Sequence, residues 1–385
     1  MRRLAVLHVH LGVRDGGAER QTVALLRGMA ALGHRVIGIV RRGSPAERRA
    51  VAAGAPIFPL GPRFPLGPGG LFTWWSRQRA RLLAARGDWD LIHFHDPESY
   101  ALTADLLSSA SPGRALAPSR MIVTYRGQRR AFSSRAPAEL RRHHRSGGTT
   151  VPASEALWAA LVREKYDEEL LSFIHPGIDM RLFSGDAALR DAMRRALGFD
   201  DRTEAVGTVA VLDRDRGVER LLEAAAVLAR DRSSARLVIV GDGPARRGLE
   251  TRAASLGLGG ITIFTGWRED VHQVLQALDA YVFAGEGGEV FPSALVEAMA
   301  IGIPVVVSDQ PGIWEIIENG KQGLFVPERG AESLARTVFR LLADREISRA
   351  MGRAGSVRVQ RFHIKSMVGA HEALYYRVSK IERDS

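Results

Sequence analysis

The sequence reads as an α/β protein of two doubly wound, Rossmann-like domains, each a parallel sheet with helices on its faces. Three observations lead there. Short β-branched runs alternate with helical patterns along the whole chain. At 385 residues the chain exceeds the size at which one hydrophobic core stops growing. Each half also repeats the same βα order, although no repeat of 20 to 50 residues is visible.

In the first half the strand candidates are Leu4–Val9, Arg35–Val40, Leu91–Phe94, Met121–Tyr125 and Thr149–Pro152. Between the first two, Ala18 to Leu32 reads as a helix with Leu25, Met29 and Leu32 on one face, stopped by Gly33. In the second half the runs Val206–Leu212, Arg236–Val240, Ile261–Phe264, Ala280–Phe283 and Pro304–Val307 read as strands. Helices at about 218–230, 244–256, 271–278, 293–301 and 331–343 fill the gaps. Pro176-Gly177-Ile178-Asp179 and the polar stretch after it mark a boundary, giving domains 1–176 and 177–364. Two such domains are expected to place their strand carboxyl ends along a shared central cleft.

Composition narrows the function. With 45% apolar and 25% charged residues, 40 Gly, 17 Pro and no Cys, disorder, collagen and a disulfide scaffold are excluded, as is chemistry at sulfur. No apolar run approaches the ~18 to 20 residues of a spanning helix, and none near the N-terminus suits a signal peptide. A cytoplasmic protein is expected, with any membrane contact peripheral, at the inner face. The net charge of +11 is uneven: residues 1–176 hold 26 Lys+Arg against 14 Asp+Glu, whereas 177–364 hold 24 against 26. Such an excess suggests an anionic partner on the N-terminal side. Two segments carry much of it. Arg63 to Arg81, with Trp74 and Trp75, suits either an interfacial membrane helix or a core helix with a solvated basic face. Arg126 to Arg145 adds Arg129, Arg130, Arg135, Arg141, Arg142, His143 and His144.

The most informative segment runs from Glu286 to Ala300, followed by Gly302-Ile303-Pro304-Val305-Val306. Its glycines and Glu289 follow the strand Tyr281-Val282-Phe283, and Pro292-Ser293 opens a helix. Free N–H groups and the positive dipole end at such a start favour a phosphate. Glu297, about one turn in, is placed for a ribose on that phosphate, while Glu289 reaches a sugar beyond it. Taken singly, Glu289 reads better as a solvated loop residue and Glu297 as a helix-surface ion pair.

The segment resembles the signature of the family-4 retaining glycosyltransferases, whose fold is the two-domain GT-B architecture: Glu, seven residues, Glu, then Ala-Met-Ala, a Gly and a Pro-Val strand. Other stretches match in order. They are Asp15-Gly16-Gly17-Ala18-Glu19-Arg20, Asp90 to Pro97, Pro176 to Asp179, Ile239 to Pro244, Thr265 to Val271, and Gly312 to Ile317 with Gly323 to Val326. The resemblance implies transfer of a sugar, with retention, from a nucleotide-diphosphate sugar to an acceptor, expected to be a cell-envelope lipid, lipopolysaccharide or polysaccharide precursor. It implies that Glu297 holds the ribose and Glu289 the sugar, that Gly16 and Gly17 approach the donor diphosphate or the acceptor, and that Gly266, Trp267 and Arg268 lie where the base is held. Phe291, Pro292 and Ser293 complete the donor side. It implies no cofactor and no metal, positive side chains on the departing diphosphate, and a C-terminal helix, 365–385, that packs back on the first domain.

Two departures matter. Where the family usually has Arg and Lys near the diphosphate, this chain reads Val209 to Gly217, with Val211 and Asp213 in place of the Arg and Arg216 in place of the Lys. Arg214 is a candidate to replace the missing charge, or else pairs with Asp213 or Asp215 at the surface. At Thr124-Tyr125-Arg126-Gly127, Arg126 stands where many relatives have His, which makes it a candidate for phosphate or an anionic acceptor, with His95 and His93 nearby. The candidate catalytic set is therefore Glu289, Arg216, Arg126 and His95. Alternatives remain: a catalytically impaired relative, or a non-enzymatic protein binding an anionic ligand such as a membrane or nucleic acid. No helix-turn-helix, zinc or RNA-binding signature is present, so nucleic acid is not the expected partner.

Overall fold

The computed structural model describes residues 2–12, 16–61, 88–108, 116–127, 137–285 and 291–380. Glu289, Trp74, Trp75, Arg129, Arg130 and Arg135 lie outside the described residues. Those described form two compact units. One comprises the residues up to Gly177 together with Ile364 onward, and the other comprises Ile178–His363.

The first unit holds strands β1 (Ala5–His10), β2 (Arg35–Arg41), β3 (Ile57–Leu60), β4 (Leu91–Phe94), β5 (Met121–Tyr125) and β6 (Thr149–Pro152). They form a parallel sheet in the order β3-β2-β1-β4-β5-β6. The second holds β7 (Glu204–Val209), β8 (Ala235–Val240), β9 (Thr262–Gly266), β10 (Ala280–Phe283), β11 (Val305–Ser308) and β12 (Gly323–Val326), ordered β12-β11-β10-β7-β8-β9. Counted from its own first strand, each sheet has the same order. The order of strand addition reverses between β1 and β4 in one and between β7 and β10 in the other, the strands staying parallel. In open α/β sheets, ligands bind outside the carboxyl ends of the strands at that reversal.

The inner strands are Val- and Ile-rich and buried on both faces, as parallel sheets require. Helices Gly17–Ala31, Val218–Asp231 and Ala331–Ala343 each bury one apolar stripe against them. Three details differ from the sequence expectation. The run Val206–Leu212 leaves the sheet at Val209, and Leu212 instead donates its N–H to the Asp242 carbonyl. Ile57–Leu60 forms an edge strand despite Pro59, a position where a missing N–H is tolerated. Gly323–Val326 forms the edge strand β12 of the second sheet.

Helix Ile364–Ser379 closes the first unit. Its Met367, Val368, Leu374 and Tyr375 join Leu4, Val6, Leu25 and Met29 in one core. It approaches helix Gly17–Ala31 so closely that a Cβ on Gly28 would lie 2.4 Å from the Val368 side chain. Polar contacts fix its register: His34 Nε2 lies 2.9 Å from Glu372 Oε1, and Tyr376 donates its hydroxyl to the Arg2 carbonyl at 2.8 Å. Nearby, Gln21 exchanges two 2.9 Å hydrogen bonds with the Gly177 backbone, where the chain leaves this unit. Because Val368 is β-branched and buried, it has little freedom to yield. Gly28→Ala is therefore expected to destabilise the protein by about 1 to 3 kcal/mol, the usual cost of overpacking. A urea midpoint equal to that of the unaltered protein would contradict this close approach.

Candidate functional site

At the carboxyl end of the second sheet, three loops converge because glycines let their backbones touch. Gly217, with φ 68, opens helix Val218–Asp231, and a Cβ there would fall 1.8 Å from the Ala284 carbonyl oxygen beyond β10. Gly241, with φ 131, comes equally close to the Ala210 carbonyl beyond β7. Arg220 ties the same ends together, donating to the Ala284 carbonyl at 2.6 Å and to the Ser308 hydroxyl at the end of β11. The Gly-Asp-Gly stretch after β8 thus serves loop packing as well as whatever ligand the site takes.

Onto this frame fall the residues singled out in the sequence. Helix Ser293–Ile301 opens with Phe291 and Pro292 buried and Ser293 half-buried. Phe291 is held edge-on by Phe362, with ring centres 5.1 Å apart. Glu297 is 3% exposed and sits among Leu295, Val296, Ala298 and Met299, which removes the surface ion-pair reading. A carboxylate is retained in such a place only when specific groups meet it. After β7, Arg214 and Arg216 lie on one 3₁₀ turn, capped by Asp213, whose Oδ1 accepts from the Arg214 N–H at 2.7 Å. Asp213 therefore shapes the turn that presents the two arginines. Val211 is exposed. After β9, Gly266 takes φ 71 and its carbonyl accepts from the Gly241 N–H at 2.9 Å. Trp267 is 44% exposed, whereas Arg268 is committed to a two-pronged pair with Asp270 at 2.7 and 2.6 Å. That pair holds the Asp270 carboxyl below its ordinary range.

The first unit presents a second constellation at its own reversal, between β1 and β4. His10 Nδ1 lies 2.9 Å from Asp96 Oδ2, and His10 Nε2 lies 3.6 Å from Glu19 Oε1. Asp96 caps helix Pro97–Ser108, accepting from the Ser99 N–H and from its hydroxyl at 2.8 Å, with Pro97 in the first helical position. Ser99 Oγ in turn accepts from the Leu11 N–H at 2.9 Å. Gly16 and Gly17 start the helix that carries Glu19 in its first turn. Half-buried Arg126 follows β5 and donates to the His95 carbonyl at 2.6 Å. Burial pushes its guanidinium down to about 10, opposed by Asp96 and Glu19, so it stays charged at neutral pH.

Beneath lies a set of imidazoles that periodicity does not reveal, because a run such as Leu91-Ile92-His93-Phe94-His95 gives no hint of what faces it across the sheet. His8 and His93 are register partners on adjacent strands, and His93 stacks on His95 with ring centres 4.3 Å apart. His95 is 1% exposed, so its ring is sealed from solvent; its Nε2 lies 3.0 Å from His8 Nδ1. His93 lies 2.6 Å from the Tyr375 hydroxyl through Nδ1 and 2.7 Å from Thr124 Oγ1 through Nε2. Ligand-type atoms of His8, His93 and His95 come within 4.8 Å of one another. Stacking and these hydrogen bonds tie the group into a polar layer of the core, in which His8 Nε2 and His95 Nδ1 are buried with no hydrogen-bond partner among the described residues. Burial drives His8 down to about 3, His371 to about 4, and His93 and His95 well below 6.5.

The unfolded chain takes up protons on these four residues below about pH 6.5, where the folded chain does not. Stability is thus complete above that pH and falls on acidification. Each imidazole is expected to remove roughly 1 kcal/mol by pH 5.5. His10 works in the opposite sense: burial alone would lower it, but the hydrogen bond to Asp96 and the carboxylates of Asp96 and Glu19 together outweigh burial and raise it. Urea midpoints that stay level from pH 7.5 to 5.5 would refute a neutral histidine layer.

Two family models match successive parts of the chain: Glycosyltransferase Family 4 over residues 15–182 and Glycosyl transferases group 1 over residues 190–358. The chain belongs to this family of glycosyltransferases and has the GT-B fold. It is 30% identical over 291 residues to the exopolysaccharide phosphotransferase SCO2592 of Streptomyces coelicolor, a match covering 71% of this chain but 29% of that protein. It is 29% identical over 280 residues to the GDP-mannose-dependent alpha-(1-6)-phosphatidylinositol monomannoside mannosyltransferase of Mycobacterium tuberculosis, covering 69% of this chain and 72% of that one. Among solved structures, HepE of Anabaena, crystallised with UDP and glucose, superposes with a TM-score of 0.82 at 19% identity, over 98% of this chain and all of that one.

Proposed function

We propose that this protein is a retaining glycosyltransferase that moves a sugar from a nucleotide-diphosphate sugar to an acceptor, a lipid or polysaccharide precursor of the cell envelope. The observation that carries the reading is buried Glu297 in the helix that opens just beyond β10, at the strand-order reversal of the second sheet. A carboxylate there suits the two hydroxyls of a ribose, and the helix start suits the phosphate attached to it. Trp267 offers a flat, exposed surface beside the base position, whereas Arg268, engaged with Asp270, acts through its backbone. Glu289 is assigned the transferred sugar. The acceptor class is supported by the curated relative named for phosphatidylinositol monomannoside.

In the reaction the bond from the anomeric carbon to the diphosphate breaks, and a bond to the acceptor oxygen forms on the same face. The acceptor proton passes to the departing diphosphate. Arg216, in place of the family's Lys, and Arg214, on the same turn, stabilise the charge that develops on that diphosphate, Arg214 supplying the charge of the Arg for which this chain has Val211 and Asp213. Arg126 serves an anionic group, and the buried His95 supports Arg126 through its carbonyl rather than by touching substrate. No metal and no resident cofactor is needed in this scheme.

Thermal unfolding against UDP, GDP, ADP, TDP and CMP tests the donor site. One nucleoside diphosphate at a hundredfold excess over its Kd should stabilise the protein by about 2.7 kcal/mol, and Glu297→Ala should abolish that shift. Stabilisation that is equal in Glu297→Ala would remove the ribose assignment. No shift with any nucleotide would leave the binding-protein reading in its place.

A further inference from the structure

We propose that His10 is a positioning residue: as a cation it holds Asp96 and Glu19, so that Arg126 beside them offers its charge to a phosphate-type anion of a substrate at the carboxyl ends of β1, β4 and β5. The proposal rests on the glycosyltransferase reading for the identity of the substrate, but not for the presence of the anion site.

Four charged groups meet there. Asp96 and Glu19 flank the two ring nitrogens of His10, and Arg126 is within electrostatic reach of both carboxylates. Among the described residues Arg126 has no carboxylate within 4.0 Å; its guanidinium rests on the His95 carbonyl and stays half-buried. With His10 charged, two cations balance two anions and the guanidinium can accept an external anion. With His10 neutral, two carboxylates face one cation, and the field at Arg126 repels an anion. The other titratable neighbours do not change with His10. His95, set edge-on to His10, is held neutral with His8 and His93, and Glu98 adds a further carboxylate on the exposed side of Asp96 whichever form His10 takes, its pKa raised by burial and by Asp96.

Position supports the same role. The quartet lies at the strand-order reversal of the first sheet, where this fold class takes ligands. Glu19 belongs to the turn just after Gly16 and Gly17, and a Cβ on Gly12 would meet the His10 ring at 3.0 Å. His10 therefore touches the loop that follows β1 as well as the carboxylates. Its burial leaves no room for a solvated histidine, and its two acidic partners leave no reason for a neutral one.

The test uses sulfate, whose charge is constant between pH 6 and 9, at fixed ionic strength with the full-length protein. Titration calorimetry should show sulfate affinity falling at least fivefold as pH rises through the raised pKa of His10. His10→Gln should bind sulfate at least fivefold more weakly at pH 7 and lose that pH dependence. His10→Gln/Asp96→Asn, which restores the balance of charge, should recover affinity to within about twofold, a compensation that a merely structural histidine cannot give. Arg126→Ala should lose sulfate in any case. If Arg126→Ala also weakens the nucleoside diphosphate found in the thermal panel, the anion belongs to the donor; if it weakens sulfate alone, the anion belongs to the acceptor. Unchanged sulfate binding in Arg126→Ala or His10→Gln, or a double variant whose two losses simply add, overturns the proposal. A protein that binds no nucleotide yet shows the sulfate pattern keeps the anion site and loses the transferase reading. Urea midpoints of each variant separate loss of binding from loss of fold.

Discussion

A buried neutral imidazole gives up the hydrogen bonds that water made to both its nitrogens, and His93 alone in its layer recovers both, from two sides of the molecule. Thr124 of β5 satisfies one nitrogen and Tyr375 of the C-terminal helix the other. The first unit is consequently not complete within its own stretch of chain. Its central strand needs the helix that arrives after the whole second unit has been traversed. Close packing at Gly28 and the His34–Glu372 contact serve the same docking. The layer of histidines is thus the polar counterpart of the apolar core around Leu4, Met29 and Val368.

The two units solve the same problem with different materials. Both reverse the order of strand addition between their first and fourth strands, which brings loops together above the sheet. In the second unit the loops are joined by backbone, through glycines whose conformation no other residue adopts without strain, and by one arginine between two strand ends. In the first they are joined by charge, through His10, Asp96 and Glu19. A backbone junction is indifferent to pH. A junction of charges is not.

Much of this was legible in the sequence. The alternation of strand and helix patterns points to the fold, and each of the ten candidate runs overlaps a strand of the two sheets, because a strand buried on both faces has little choice of residue. Edge strands were harder: Ile57–Leu60 carries a proline, and Gly323–Val326 is short. The glutamate and glycine spacing singles out Glu297 and the helix that carries it. Glu19 and Asp96 fall within stretches that match the family, but nothing along the chain joins them to His10, and their association arises only when β1 is laid beside β4. His95 was visible as a candidate, yet no pattern along the chain could tell that its ring points into the core while its carbonyl carries the contact.

The return of helix Ile364–Ser379 also constrains how the protein is made. Chains emerge from the ribosome at about 5 to 20 residues per second, and domains ordinarily fold in the order of their synthesis. Here the first unit emerges early but must wait for residue 364 and beyond, with the strip around Gly28 and His93 uncovered in the meantime. The second unit, continuous from Ile178 to His363, has all its strands before that helix exists. Synthesis therefore runs in one order and completion of the two units in the other, and the helix that follows the second unit is the one that seals the first.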